Sequence, residues 1–169
     1  GIEAASGEWV IVLHADGCLP TDAVSQLLAA AQASPHLIGG ALGQRFVEQS
    51  WRLLVIEVLN DVRALFTRTA FGDQIQFFHR STAVKRNLMP AQSLMEDVES
   101  SWRMRELGEF RYLACFGSVS AQKWLRSGWL ERVRLVLRLV SRYRWARLKG
   151  RKEAEITSET LYSEYYGPK

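Results

Sequence analysis

The sequence is poor in the residues that build disulfide-bonded and zinc-binding proteins. Its 169 residues include only two cysteines, Cys18 and Cys115, which lie far apart without metal-ligand spacing. No CxxC pair, P-loop, GxSxG or GxGxxG motif occurs in it. These absences argue against a disulfide framework, a zinc module and the common nucleotide-binding loops, and they make a reducing cytoplasm the expected compartment.

Long apolar runs are also missing. None approaches the ~20 residues of a membrane span. The start, "GIEAASGEW", has neither the basic n-region nor the apolar h-region of a signal peptide. Hydrophobic residues still make up 47% of the chain, which is enough for one domain with a real core.

Charge is distributed unevenly along the chain. Residues 123–149 carry nine basic side chains and one acid, Glu131, for a net charge of +8, whereas the whole chain carries +4. The charge pattern predicts a mildly acidic body over residues 1–125, a basic amphipathic helix over 126–150 and a polar, loosely ordered tail over 151–169.

Short apolar runs alternate with helical patterns in the first 120 residues. Strands are predicted at 9–14, 36–46, 74–80 and 111–121, and helices at 19–35, 50–66 and 93–110. Ser50 and Ser93 are predicted helix caps, and Gly108 is predicted to end the last of these helices. This alternation predicts an α/β domain with a mostly parallel or mixed sheet.

The predicted helix at 50–66 has a clear apolar stripe. Four positions recur at helical spacing: Leu54, Val58, Val62 and Leu65.

One candidate for chemistry is Asp16, directly after the apolar strand in "WVIVLHADG". Ligands of open α/β sheets gather beyond the carboxyl ends of the strands. A carboxylate there suits Mg²⁺ or Mn²⁺, which take oxygen ligands and bridge to phosphates. The alternative is an ordinary turn aspartate before glycine.

Adjacent acids at the predicted start of the 93–110 helix are a second candidate. Glu96 and Asp97 would lie near the positive end of the helix, which favours their ionised forms. An ionised aspartate in a cleft can take a proton from an alcohol. The alternative is the acidic charge common in first helical turns.

Two polar segments are candidates for ligand contacts. Asp73 and Gln74 in "FGDQIQFF" could hydrogen-bond a hydroxyl-rich ligand, or form a plain turn. Lysine in "QKW" at 122–124 is suited to phosphate oxygens, or could be solvated surface.

Taken in order, four segments resemble the family 2 glycosyltransferases. They are "ASGEWVIVLHADGCLP", "AFGDQIQFFHR", "LMEDVESSWRMRELGEF" and "SAQKWLRSGW". The chain is most similar to a small bacterial branch in which "HAD" replaces the usual Asp-x-Asp. The resemblance implies a partial nucleotide-diphospho-sugar transferase fold of the GT-A type, which is Rossmann-like, with a mixed sheet and a C-terminal basic helix.

The resemblance also implies roles for particular residues. Asp16 would bind the Mg²⁺ or Mn²⁺ cofactor, and Asp97 would be the catalytic base. His14 stands where relatives have the first aspartate, near the nucleotide-sugar donor. Asp73, Gln74 and Glu96 would lie beside the hydroxyl acceptor, and Lys123 and Trp124 would lie at the diphosphate.

The chain departs from the family pattern at its start. Relatives open with two further βα units that bind the nucleobase and ribose, and "GIEAASGEW" begins beyond them. A fragment, a truncated gene with a non-catalytic remnant, or completion of the sheet by another chain would each account for this. Because the "HAD" strand would then lack a neighbour, we expect a homo-oligomer.

The basic segment suggests a partner as well. Arg134, Arg138 and Arg142 recur every fourth residue beside apolar side chains. This pattern is typical of a helix docked on the core with a solvated basic face, and it equally suits a helix on an anionic membrane surface. The expected location is cytoplasmic, at the inner face of the membrane if the helix binds lipid; nucleic-acid binding ranks last.

Overall fold

The computed structural model describes residues 1–122, 124 and 128–166. The chain divides into two units, the first formed by residues 1–89 and 97–121 and the second by residues 90–96 and 122–169.

One mixed sheet organises the first unit. Its strands are β1 (Trp9–Val12), β2 (Gly17–Cys18), β3 (Leu37–Phe46), β4 (Gln76–His79) and β5 (Glu109–Val119). They lie in the order β1-β4-β3-β5-β2; β3 and β5 are parallel, and the other neighbouring pairs are antiparallel. The predicted α/β class with a mixed sheet is confirmed.

Helices cover both faces of this sheet. The unit contains α1 (Ala23–Ala33), α2 (Trp51–Thr67), α3 (Arg80–Arg86) and most of α4 (Glu96–Leu107). Successive strand residues point to opposite faces: Phe77 packs in a cluster with Leu27 of α1, and Phe78 packs in another with Met104 of α4. The result is a sandwich with one apolar core on each side of the sheet.

The contact between β3 and β5 is unusually close. A methyl group on Gly40 would lie 1.8 Å from the carbonyl oxygen of Arg111. Only glycine therefore fits at this point of the central strand pair.

Helix α2 is turned so that its polar side faces the sheet. The four residues of its predicted apolar stripe, Leu54, Val58, Val62 and Leu65, are all exposed. Its buried positions are Leu53, Ile56, Glu57, Asn60 and Ala64.

Hydrogen bonds explain this orientation. The Glu57 carboxylate accepts from the Phe46 backbone N–H at 2.6 Å, and Asp61 accepts from the Tyr112 hydroxyl at 2.6 Å and pairs with Arg45 at 2.9 Å. Buried polar groups need such partners, whereas exposed apolar side chains cost less than unpaired charges. The predicted Ser50 cap is confirmed, since its hydroxyl accepts from a first-turn backbone N–H.

The described residues of the second unit include two further helices. They are α5 (Trp129–Lys149) and α6 (Arg151–Tyr166), which pack together, and Leu139, Tyr143 and Leu161 on them are buried. Glu164 of α6 pairs with Arg138 at 3.4 Å and also with Arg142. The expected helix at 126–150 is present over residues 129–149, but the expectation of a loosely ordered tail was wrong for residues 151–166.

Other local differences have identifiable causes. β2 and α3 were not predicted, because both are too short for a periodic pattern. α4 begins at Glu96, so Ser93 is not its cap; Met95 directly before it adopts a left-handed backbone with φ 65°. Among the described residues, no helix combines the length and apolarity that crossing a membrane requires.

Substituting Gly40 with alanine tests the close strand contact. Because the methyl would overlap a backbone oxygen, we expect Gly40→Ala to lower the free energy of unfolding by about 3 kcal/mol or more. Gly128→Ala is the control, since its methyl would meet atoms only at 3.6 Å and beyond. Urea unfolding measures both, and equal stabilities would contradict the β3–β5 geometry.

Candidate functional site

The turn that follows β1 carries His14 and Asp16. The Gly17 backbone N–H donates to the His14 carbonyl at 3.0 Å, which closes a turn with Ala15 and Asp16 at its centre. Gly17 then pairs with Val119 of β5. Both His14 and Asp16 are exposed, so the turn presents an imidazole and a carboxylate to solvent beyond the carboxyl end of β1.

Gly72 is the point at which His14 and Asp97 come together. A methyl on Gly72 would lie 3.3 Å from His14 Nε2 and 3.3 Å from Asp97 Oδ2. The two side-chain atoms are therefore no more than twice that distance apart. Gly72 therefore lies beside both the turn after β1 and Asp97, and the contact with that turn is made through His14.

Asp97 is held by the first turn of α4. Its Oδ1 accepts from the Val98 backbone N–H at 2.7 Å, and its carbonyl accepts from Gln76 Nε2 at 2.9 Å and from the Ser101 hydroxyl at 3.0 Å. The residue is half-buried. Oδ2 lies beside Gly72, and the helix N-terminus favours the carboxylate form.

Arg63 of α2 fixes the loop that contains Gly72. Its guanidinium donates to Gln74 Oε1 at 2.6 Å, to Asn60 Oδ1 at 2.8 Å and to the Thr69 carbonyl at 3.2 Å. It also stacks on the Phe71 ring, with 3.3 Å from Cζ to the ring centroid. One side chain thus ties both ends of the "FGDQ" loop to α2.

The charge of Arg63 acts on the carboxylates of the site. Burial lowers the pKa of Arg63 to about 10, and the charges of Asp97, Asp73 and Asp61 oppose that fall. The guanidinium stays protonated at neutral pH. A buried cation here favours the ionised forms of Asp97 and Asp73.

Two glutamine atoms at this loop lack partners. Gln74 Nε2 and Gln76 Oε1 are buried, and neither has a hydrogen-bond partner among the described residues. Each unpaired group costs about 1–3 kcal/mol. A bound hydroxyl could pair with either, since it both donates and accepts.

The remaining predicted residues are placed as follows. Asp73 is exposed on the loop. Glu96 and Trp124 are half-buried and belong to the second unit. Within that unit, burial raises the pKa of Tyr166, and the charges of Tyr165 and Glu96 raise it further. Lys123 lies outside the described residues.

The donor set suits a shared cation better than a resident metal. Within the part of the chain that the structure describes, no three His, Cys, Asp or Glu side chains cluster to hold a metal ion. Mg²⁺ commonly binds through one or two carboxylates together with substrate phosphates and water. Asp16, a single exposed carboxylate on a turn, fits that mode.

Comparison with known families agrees with the architecture. A model described as glycosyl transferase family 2 matches residues 1–91, which is more than half of the chain. This chain belongs to family 2 of the glycosyltransferases. Its mixed α/β sandwich is consistent with a partial GT-A fold. The match contains Asp16, Asp73 and Gln74 and ends before Asp97. No curated protein and no solved structure matches the chain.

Sequence reasoning missed Arg63 and Gln76. The sequence did contain a signal for Arg63. Asn60 and Arg63 are three residues apart, so they lie on the same side of a helix whose opposite side is apolar. A polar pair at that spacing looks like a solvated face until the orientation of the helix is known.

Replacing Arg63 tests whether it secures the loop. Arg63→Met leaves the three oxygens that it binds without that donor, so we expect the free energy of unfolding to fall by about 2–4 kcal/mol. Arg52→Met, an exposed position on the same helix, should change it by less than about 0.5 kcal/mol. Urea unfolding of both variants is the measurement. If the free energy of unfolding falls no further in Arg63→Met than in Arg52→Met, the proposed role of Arg63 in securing the loop is wrong.

Proposed function

We propose that this family 2 glycosyltransferase chain transfers a sugar from a nucleotide-sugar to a hydroxyl acceptor with the help of a divalent cation. The observation that carries the proposal is the pair formed by His14 Nε2 and Asp97 Oδ2 over Gly72. The reaction needs a base for the acceptor hydroxyl close to the group that holds the donor, and here a carboxylate lies beside the turn that bears Asp16.

Asp97 is the proposed base. An alcohol has a high pKa and attacks poorly unless a base removes its proton as the new bond forms. Oδ2 of Asp97 would take that proton, while the acceptor oxygen bonds to the anomeric carbon. The bond from that carbon to the diphosphate breaks, and its electron pair leaves with the diphosphate.

Asp16 is the proposed anchor for Mg²⁺ or Mn²⁺. When bound, the cation would supply positive charge for the departing diphosphate. His14, on the same turn, would lie beside the donor. Positive charge matters here because the diphosphate leaves as an anion.

The acceptor side is proposed at the "FGDQ" loop. Gln74, held by Arg63, has a buried amide nitrogen available to a hydroxyl. Asp73 and Glu96 would add acceptor contacts. This assignment gives the unpaired Gln74 amide a partner in the complex.

Self-association is proposed through the edge of the sheet. β1 occupies one end of the strand order and pairs only with β4 among the described strands. Its outer backbone groups are available to a second copy. The basic face of α5 stays a candidate for anionic membrane contact, although Arg138 and Arg142 already pair with Glu164.

Removal of the two carboxylates tests the catalytic proposal. Asp97→Asn should lower transfer at least about a thousandfold because no base remains. Asp16→Ala should abolish Mn²⁺-dependent binding of UDP- or GDP-sugars in calorimetry. Glu155→Gln on α6, an exposed carboxylate, is the matched control and should leave both unchanged.

Some outcomes would favour the alternative of a non-catalytic remnant. If the unsubstituted chain binds no sugar nucleotide with or without Mn²⁺, the transferase proposal fails. Retained transfer in Asp97→Asn would also remove Asp97 from the mechanism.

The assembly proposal has its own test. Light scattering of the purified chain should give twice the monomer mass or more at micromolar concentration. A mass of 19.2 kDa at all concentrations would contradict edge pairing through β1.

A further inference from the structure

We propose that the outer face of α2 docks this protein on an anionic lipid bilayer. We define the α2 outer face as the exposed side chains of α2 and its cap, Arg68. They are Trp51, Arg52, Leu54, Val55, Val58, Leu59, Val62, Leu65, Phe66, Thr67 and Arg68.

The composition of this face is unusual for a surface helix. Eight of the eleven exposed side chains are apolar, and their exposure reaches 58% at Leu54, 57% at Leu65 and 78% at Phe66. Isolated apolar residues are normal on protein surfaces, but a continuous apolar side along a whole helix marks a binding surface. The structure describes every residue from Trp51 to Arg68, so the side is seen in full.

The charges of the face favour anionic lipid. Arg52 and Arg68 stand at its two ends, and Arg105 is fastened beside Arg68 by a 2.8 Å hydrogen bond to the Thr67 carbonyl. None of the exposed α2 side chains is acidic. The acids of the helix, Glu57 and Asp61, bind Phe46 and Tyr112 on the inner side.

The same charges disfavour a second copy as the occupant. In a two-fold dimer the identical face meets itself. Antiparallel packing of two α2 helices would set Arg52 against the partner's Arg68, and parallel packing would set identical arginines together. No acid on the face could compensate, and facing like charges oppose association. The anionic head groups of a bilayer can pair with Arg52 and Arg68 at the same time.

The aromatic positions fit an interfacial helix. Trp51 and Phe66 lie near opposite ends, and helices in the bilayer interface place such side chains among the head groups. Arginine stems can extend along the apolar side while their charged ends stay in water. The docking needs no catalytic step, so it stands independently of the transferase proposal.

Vesicle flotation tests the docking directly. The purified full chain is floated with vesicles of phosphatidylcholine containing phosphatidylglycerol, and with vesicles of phosphatidylcholine alone, without sugar nucleotide. We expect stronger binding to the anionic vesicles. Arg52→Gln and Arg68→Gln should each weaken that binding about fivefold, since a basic residue at an anionic surface contributes about that factor.

Charge placed in the apolar part should have a larger effect. Leu59→Glu with Val62→Glu should weaken binding at least about tenfold. The matched control is Val24→Glu with Leu28→Glu on α1, which are exposed by 51% and 47% and should bind within about twofold of the unsubstituted chain. Circular dichroism checks that all variants are folded.

Three results would overturn the proposal. They are no flotation of the unsubstituted chain with anionic vesicles, loss of flotation in the α1 variant with retention in the α2 variant, and conversion of a lipid-free dimer to a monomer by the α2 substitutions. The last result would assign the face to contact between copies.

Discussion

The orientation of α2 on the sheet is the constraint on which the rest of this structure depends. Its acids and amides point inward, where Glu57 accepts from a β3 backbone N–H and Asp61 joins Tyr112 and Arg45. Buried polar groups lose several kcal/mol if they lose their partners, so these bonds fix the rotation of the helix about its axis. The apolar side is exposed as a consequence, at a cost that a bilayer would remove.

The same orientation organises the candidate site. Arg63 projects inward from α2 and binds the Thr69 carbonyl and Gln74, one on each side of Gly72. The loop is thereby set where Gly72 lies beside both His14 and Asp97. One helix therefore links the candidate acceptor loop on its inner side to the apolar surface on its outer side.

Much of the fold could be predicted from the sequence because its strands and long helices have clear periods. The strand before "HAD", the Ser50 cap and the end of α4 at Gly108 follow from local chemistry. The stripe of Leu54, Val58, Val62 and Leu65 gives the helix but not its rotation, since periodicity identifies two faces without saying which one is buried. The rotation of the helix depends on Arg45 of β3 and Tyr112 of β5, which are distant from it in sequence.

The site was predictable to a similar degree. The positions of Asp16 and Asp97 at element ends follow from sequence, and the resemblance to the family gave their proposed roles. The part played by Arg63 was not predictable, because an arginine on a helix is usually solvated and only tertiary contact buries it. The helix at 151–166 was missed for the related reason that its stability comes from packing Leu161 against α5.

Thiol labelling of α2 tests its orientation most directly. In a Cys18→Ser background, the remaining Cys115 is buried, and burial and Asp22 raise its pKa to about 11, so it reacts slowly. Val58→Cys and Ile56→Cys are then compared in lipid-free protein, because Val58 is 51% exposed and Ile56 is 4% exposed. The structure predicts that the thiol at position 58 reacts with maleimide at nearly the unfolded rate and that the thiol at position 56 is protected. Protection at 58 with rapid labelling at 56 would contradict it.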